Sequence, residues 1–232
     1  MWWKQRKQYF KYRQEVHAHL LPGLDDGVKS LNEAVTVVGK LRGLGIEHFS
    51  LTPHIAFPHV ANGKEAIGTA LKALRQACPE VFLEAGAEYR ITEEVVKLAG
   101  QNEILPFHQR YVLIENSFAG ESVYLKQVIF LLKNKGFLPV LAHPERYLYY
   151  KENFIETCNE FRNLNCLLQL NLLSLAGFYG KETEKMAWKL LKSGLVGFVG
   201  SDTHNMEYAG CLEDFLHSRV AGKLNDYTFL NQ

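Results

Sequence analysis

The chain has 232 residues, 47% of them hydrophobic and 22% charged, with a formal net charge of +1. That length and balance fit one large α/β domain, residues 1–232, and exclude a disordered chain. With neither clustered Lys and Arg nor a run of ~18 apolar residues, no nucleic-acid footprint and no membrane span are expected.

The opening residues 1–14, MWWKQRKQYFKYRQ, are basic and aromatic. They lack the apolar run and small-residue cleavage site of a signal peptide. They read as an N-terminal arm or short helix packed on the domain. The other reading is a membrane-surface or partner contact through Trp2, Trp3, Lys4, Arg6 and Lys7.

From there, short apolar runs alternate with segments of helical period. Strands are expected at Glu15–His19, Glu47–Thr52, Val81–Glu88, Tyr111–Glu115, Leu138–Ala142, Leu167–Asn171 and Val196–Gly200. The first helical segment, SLNEAVTVVGKLRGLG, opens with Ser30 and Glu33 at capping-box spacing and closes on Gly43 and Gly45. The later ones are GKEAIGTALKALRQAC, TEEVVKLAG, ESVYLKQVIFLLKNKG, ENFIETCNEFRNLN and KETEKMAWKLLKSG, several ending on Gly or Asn. This alternation predicts a parallel α/β fold. Periodicity alone does not separate a barrel from an open sheet. The four cysteines (Cys78, Cys158, Cys166 and Cys211) form no C-x-x-C pair and read as buried thiols of a reducing compartment, so a cytoplasmic protein is expected.

The strand ends carry the chemistry. The first ends in VHAHL (His17, His19), the second runs into TPHI (His54), and the third ends near Glu88. The fourth ends at Glu115, the fifth runs into His143, and the seventh into SDTH (Asp202, His204). Six of seven strands thus deliver a His, Asp or Glu at one end. A barrel collects its strand ends into one rim, whereas an open sheet spreads them apart, so a barrel is expected. Imidazole with carboxylate is a ligand set for Zn, Mn, Fe and similar ions. His17 and His19, two apart on a strand, share a face. Singly, each of these residues reads as an ordinary core or turn residue: an isolated H-x-H is weak, and Asp25–Asp26–Gly27 is turn-like. The set together predicts a multinuclear metal site. His48, His59, His108 and His217 fall elsewhere and read as structural or exposed, with His59 near enough to line the mouth.

The strings VHAHLLPGLDDGVKS, LTPHI, GAEYR, LIENS, LAHPERY and GSDTHN together resemble the polymerase and histidinol phosphatase (PHP) superfamily. More narrowly, H-x-H-x-L-P-G-x-D-D-G and A-H-P-E-R-Y resemble its bacterial tyrosine-protein phosphatase branch, tied to capsular and extracellular polysaccharide synthesis. The likeness runs from about Glu15 through the helix after His204. It implies a distorted seven-stranded TIM-like (β/α)7 barrel holding three divalent ions, manganese first, with iron, cobalt or zinc also admissible. One ion would be held by His17, His19, Glu88 and Asp202, a second by Glu88, Glu115 and His143, and a third by Asp26, His54 and His204. Asp25 reads as a turn residue or a partner of a ligand.

The implied reaction is hydrolysis of phosphotyrosine by metal-activated hydroxide, since no C-x-x-x-x-x-R loop offers a cysteine nucleophile. The implied partner is the phosphotyrosine-containing tail of a membrane-bound tyrosine autokinase. Arg146 is the candidate catalytic phosphate clamp, because a guanidinium engages two oxygens at once; a structural salt bridge with Glu145 or a neighbour is its other reading. Relatives often carry another Arg after the D-x-H motif or beside the second-strand histidine. Here there is none, and Arg90 or Arg219 could substitute. The competing functions are a histidinol-phosphatase-like enzyme and a non-catalytic metal-binding module.

Overall fold

The computed structural model describes residues 7–101 and 103–232. Trp2, Trp3, Lys4 and Arg6 lie outside the described residues. The part of the arm that is described packs without a helix. Phe10 and Tyr12 are buried, Tyr9 N–H donates to Leu216 O at 2.9 Å, and Lys7 Nζ sits 4.9 Å from the Tyr9 ring.

Strands and helices alternate in the order β1 (Gln14–Glu15), α1 (Leu31–Gly43), β2 (His48–Leu51), β3 (His54–Ile55), α2 (Lys64–Ala77), β4 (Phe82–Ala85), β5 (Glu88–Arg90), α3 (Glu93–Gln101), β6 (Tyr111–Glu115), α4 (Leu125–Asn134), β7 (Leu138–Ala142), α5 (Phe154–Asn163), β8 (Leu167–Asn171), α6 (Leu172–Leu175), α7 (Lys181–Lys192), β9 (Phe198–Gly200) and α8 (Met206–Leu216). Every strand pair is parallel. Three short 3₁₀ helices complete the description: Pro144–Arg146, Leu148–Asn153 and Ala221–Asp226.

The sequence predicts one closed ring of seven strands. Hydrogen bonding instead divides the strands over a sheet of three, β1-β2-β4, and a sheet of six, β3-β5-β6-β7-β8-β9, and neither closes on itself. The division has local causes. The expected strand Val81–Glu88 breaks at Gly86–Ala87, where the chain squeezes past Phe107: a Cβ on Gly86 would lie 3.1 Å from the Phe107 Cβ. Pro53 lies just past the second expected strand, Glu47–Thr52, and sets off His54–Ile55 as an additional short strand, since proline donates no ladder hydrogen bond. Beyond Glu15 the first expected strand pairs only through an isolated bridge, Ala18 with Thr203. Backbone bonds still join the segments that leave the two sheets: Asp202 N–H, just past β9, to His17 O, just past β1, at 2.8 Å, and His19 N–H to Thr203 O at 2.9 Å.

The helices form as their patterns dictate. α1 buries Ala34, Val37, Val38 and Leu41, one stripe of a 3.6-residue period. Ser30 Oγ caps it by accepting from Glu33 N–H at 3.2 Å, while Glu33 reaches back to Lys29 N–H at 2.8 Å rather than to Ser30 as a full capping box would. Beneath the rim that carries the polar strand ends, Val16, Phe107, Leu113, Val140, Ala142 and Phe198 form a small apolar plug. The larger core lies between the sheets and the helices. Cys158 and Cys166 are buried as expected, whereas Cys78 and Cys211 are only half-buried; all four are free thiols. Among the described residues no helix is long and apolar enough to cross a membrane.

Candidate metal centre

The nine residues expected to bind metal converge on one cleft, with Glu115, His143 and Asp202 at or just past the C-terminal ends of β6, β7 and β9 and His54 and Glu88 at the starts of β3 and β5. Glu88, at the start of β5, is its hub. Its Oε2 lies 2.9 Å from His54 Nδ1, 3.3 Å from His17 Nε2 and 3.5 Å from His19 Nε2, and its Oε1 lies 3.2 Å from His143 Nε2. Asp202 Oδ1 lies 3.2 Å from Nε2 of both His17 and His19. Asp26 Oδ1 lies 3.5 Å from His204 Nε2 and 3.6 Å from His54 Nε2. Glu115 Oε1 is 3.8 Å from His143 Nε2.

Four compact donor groups result: His19–Asp26–His54–His204, His17–His19–Asp202, His17–Glu88–His143 and His54–Glu88–Glu115. They use every expected ligand. They also differ from the expected sets, because His19 joins the Asp26 group, His54 reaches Glu88 and Glu115, and His17 reaches His143.

Local structure explains the convergence. The loop after His19 folds straight back onto its strand, so a Cβ on Gly27 would lie 2.0 Å from the His19 carbonyl oxygen and only glycine fits. Asp25 is the tie of this loop. Its Oδ1 accepts from Gly27 N–H at 2.9 Å, while Oδ2 accepts from His54 N–H at 2.9 Å and sits 2.8 Å from His19 Nδ1. Asp25 thus orients a candidate ligand, as such partners of metal-bound imidazoles do. Asn205 caps α8 by accepting from Glu207 and Tyr208 N–H, which fixes the chain next to His204. His143 and Asp202 both sit at positive φ, 33° and 55°. Left-handed backbone at non-glycine residues is costly and clusters at functional sites.

The electrostatics are those of buried carboxylates and imidazoles in close contact. Burial penalises the His17 cation, yet Glu88 and Asp202 outweigh it and hold the imidazole at about 10. His54 is raised to about 9 against its burial by Glu88. Despite burial, the surrounding histidines keep Glu88 and Asp202 well below the usual carboxylate range. Burial and the neighbouring Glu88 push Glu115 up to about 7, while burial and Arg146 push His143 down to about 4. Glu88 Oε2 and His54 Nδ1 meet as an ion pair at 2.9 Å and neither has a further hydrogen-bond partner, while His143 Nδ1 is buried with none. Buried polar atoms are ordinarily paired, and a carboxylate oxygen facing three imidazole nitrogens is one that a cation would satisfy. The residues present fit divalent ions.

Arg146 also sits here, and its Nη1 donates to Asp202 Oδ2 at 2.6 Å. Its partner is not Glu145, which turns inward and accepts from Asn171 N–H at 3.0 Å and Ser174 Oγ at 2.8 Å. Arg90 lines the same cleft and donates from Nε to Glu115 Oε2 at 3.0 Å. Arg219 and His59 are not among the described residues that line it. His108 lies apart from it, with Gln14, Ser50 and Glu84.

Two polar residues at the site escape a reading based on charge. The sixth expected strand supplies no ligand type, but Gln169 Oε1 meets His17 Nδ1 at 2.9 Å and Asn171 Nδ2 donates to Asp202 Oδ2 at 3.3 Å. Their place at the end of that strand was the available signal.

A family profile described as capsular polysaccharide synthesis, CpsB/CapC, matches residues 14–210. This chain belongs to that family. The tyrosine-protein phosphatase YwqE of Bacillus subtilis (strain 168) is 29% identical over 198 residues, 83% of this chain and 78% of YwqE. A crystal structure from the pair YwqE of Bacillus subtilis and CpsB of Streptococcus pneumoniae, described as unique metal-dependent tyrosine phosphatases, matches with a TM-score of 0.77 at 26% identity, over 94% of this chain and 97% of that one. Histidinol phosphate phosphatase of Lactococcus lactis, solved with zinc, L-histidinol and phosphate, shares the fold with a TM-score of 0.60 at 13% identity, over 95% of each chain. The CpsB/CapC profile spans all nine converging residues in the chain, so family membership and site coincide.

Proposed function

We propose that this chain is a metal-dependent protein-tyrosine phosphatase, hydrolysing phosphotyrosine on a tyrosine autokinase of the membrane that governs capsular or extracellular polysaccharide synthesis. The observation that carries this reading is Glu88: a wholly buried carboxylate whose Oε2 faces the ring nitrogens of His17, His19 and His54, in a cleft that also holds an arginine. The relatives named for tyrosine phosphatase activity support the substrate.

His17, His19, Asp26, His54, Glu88, Glu115, His143, Asp202 and His204 would hold three ions, with Glu88 shared between two and manganese the first candidate. Ions held there would supply charge neutralisation for phosphoryl oxygens and an acidified water near neutral pH. The chain's own part is positioning. Arg146 offers a planar fork to the phosphoryl oxygens, for which its geometry is matched. Arg90 adds a second cation in the cleft. Gln169 and Asp25 fix the ring orientations of His17 and His19. A phenolate leaving group, with parent pKa ~10, departs with less proton assistance than an alkoxide. We further read the two sheets as one distorted barrel, residues 1–232 as one domain and the cytoplasm as its compartment. The backbone bonds between the segments that leave the two sheets support the first of these readings.

The test is hydrolysis of a phosphotyrosine peptide beside histidinol phosphate, with added manganese and after chelation, in wild type and His17→Ala. Chelator-sensitive and mutant-sensitive release from the peptide is expected. Preference for histidinol phosphate would move the chain to small-molecule chemistry.

A further inference from the structure

The floor of the cleft is ionic, yet one wall carries a hydrocarbon side chain. Phe118 is 47% exposed and lines the cleft beside Arg90 and Arg146. Its ring stacks on His143, with centroids 5.8 Å apart and planes 17° apart, and the Arg146 guanidinium lies 4.8 Å from its centroid. No other described residue lining the cleft is purely hydrocarbon.

The turn that carries Phe118 is held from several sides. Ser117 O accepts from Gly120 N–H at 3.3 Å, and Ser117 Oγ from Ala119 N–H at 3.1 Å. Asn116 donates from its backbone to Tyr147 OH at 3.0 Å and from Nδ2 to Tyr150 OH at 3.1 Å, and its Oδ1 accepts from Ser122 N–H at 3.2 Å. Tyr149 OH donates to Ser117 O at 3.1 Å, and Tyr150 OH donates to Glu121. Three tyrosines of one segment therefore fix an exposed phenyl ring at the edge of an ionic pocket. A ring held in place beforehand costs a ligand little ordering entropy on binding.

We propose that Phe118 selects aryl over alkyl phosphate esters in this site, by seating the substrate's aromatic ring while Arg146 engages the phosphoryl group. This rests on the phosphatase reading above and deepens it. The cleft holds about 140 Å³, room for a small polar group among its charged walls. The phosphoryl group belongs on the ionic floor. The ring, one ester oxygen away, then stays at the mouth, where Phe118 presents the apolar face. Aromatic pairs gain affinity beyond their buried area, here about tenfold.

The experiment measures calorimetric binding of phenylphosphonate and ethylphosphonate to the metal-loaded full chain, in wild type, Phe118→Ala and Phe118→Tyr. Wild type is expected to prefer phenylphosphonate by about tenfold. Phe118→Ala should lose that preference by weakening the phenyl ligand alone, and Phe118→Tyr should keep it. No phenyl preference in wild type, binding of neither phosphonate, or equal weakening of both ligands in Phe118→Ala overturns the inference. The last pattern would mean that the ring only props up Arg146 and His143. Turnover of a phosphotyrosine peptide is measured alongside: its absence in wild type overturns the phosphatase reading, whatever the calorimetry shows.

Discussion

Arg146 and Asp202 lie 2.6 Å apart at the floor of the cleft, one the proposed phosphate clamp and the other a proposed metal ligand. The guanidinium therefore sits where it can contact substrate and also holds the rotamer of a ligand. Arg146→Ala should lower kcat/KM on a phosphotyrosine peptide by about 100-fold or more, since removing one partner of a buried charge pair costs several kcal/mol. Arg146→Lys should recover little, because a point charge does not replace the fork. Steady-state kinetics with elemental analysis of bound metal separate the two roles. A variant that keeps its metal and loses rate identifies the clamp.

Glu88 belongs to two of the four donor groups. Glu88→Gln should reduce the bound metal by more than one ion per chain, whereas Asp26→Asn should reduce it by one. Mass-spectrometric metal counting on extensively dialysed protein decides. Equal losses in the two variants would sink the bridging role.

Metal loading should depend steeply on pH. His17 and His54 are protonated at neutrality in the metal-free site, at about 10 and about 9, and an ion binds only their neutral forms. Apparent metal affinity should therefore rise from about pH 6 to about pH 8. The metal-free protein behaves in the opposite sense. Stabilisation from these raised imidazoles is complete below about 6.5 and is lost as pH rises through about 9 and then about 10. The depressed Glu88 and Asp202 contribute above the usual carboxylate value, and their share is lost as pH falls through their lowered values. Melting curves with and without manganese across this range would show the two trends diverging towards alkaline pH.

Gly200 is confined by the site itself, since a Cβ there would lie 2.8 Å from Gln169 Nε2 and 2.9 Å from His17 Cβ. Gly200→Ala should destabilise the fold by about 1–3 kcal/mol through overpacking and weaken metal binding by displacing His17. Gln169→Leu, which keeps the volume and removes the His17 contact, should weaken metal binding by roughly 10- to 100-fold with a smaller change in Tm. Denaturant melts and metal titrations of both variants check this.

Much of the architecture was legible in the chain because strand ends are marked by chemistry. Tyr111–Glu115, Leu138–Ala142 and Leu167–Asn171 form the strands expected of them, predominantly apolar runs closed by Glu115, His143 and Asn171. The closed ring was not legible. Whether neighbouring segments form a continuous ladder depends on close approaches such as Gly86 to Phe107, which periodicity does not encode. The ligand types were recognisable because His, Asp and Glu recur at one end. Gln169 and Asn171 were not, because neutral amides look like ordinary loop residues until their partners are known. The distribution of His19 and His54 among donor groups likewise depends on side-chain reach and not on order along the chain.

The Ala18–Thr203 bridge joins the first and last ligand-bearing segments. Glu15, next to the first of them, accepts from Ser201 N–H across 186 positions of sequence. While the chain is being synthesised, its leading histidines emerge long before Asp202 and His204 exist to complete their groups. A ribosome-bound chain thus carries scattered, competing donors and no assembled centre. On the proposed reading, metal would be taken up by the finished fold, whose rigid spacing can discriminate between ions, and not by a nascent chain that would accept the tightest-binding ion it met.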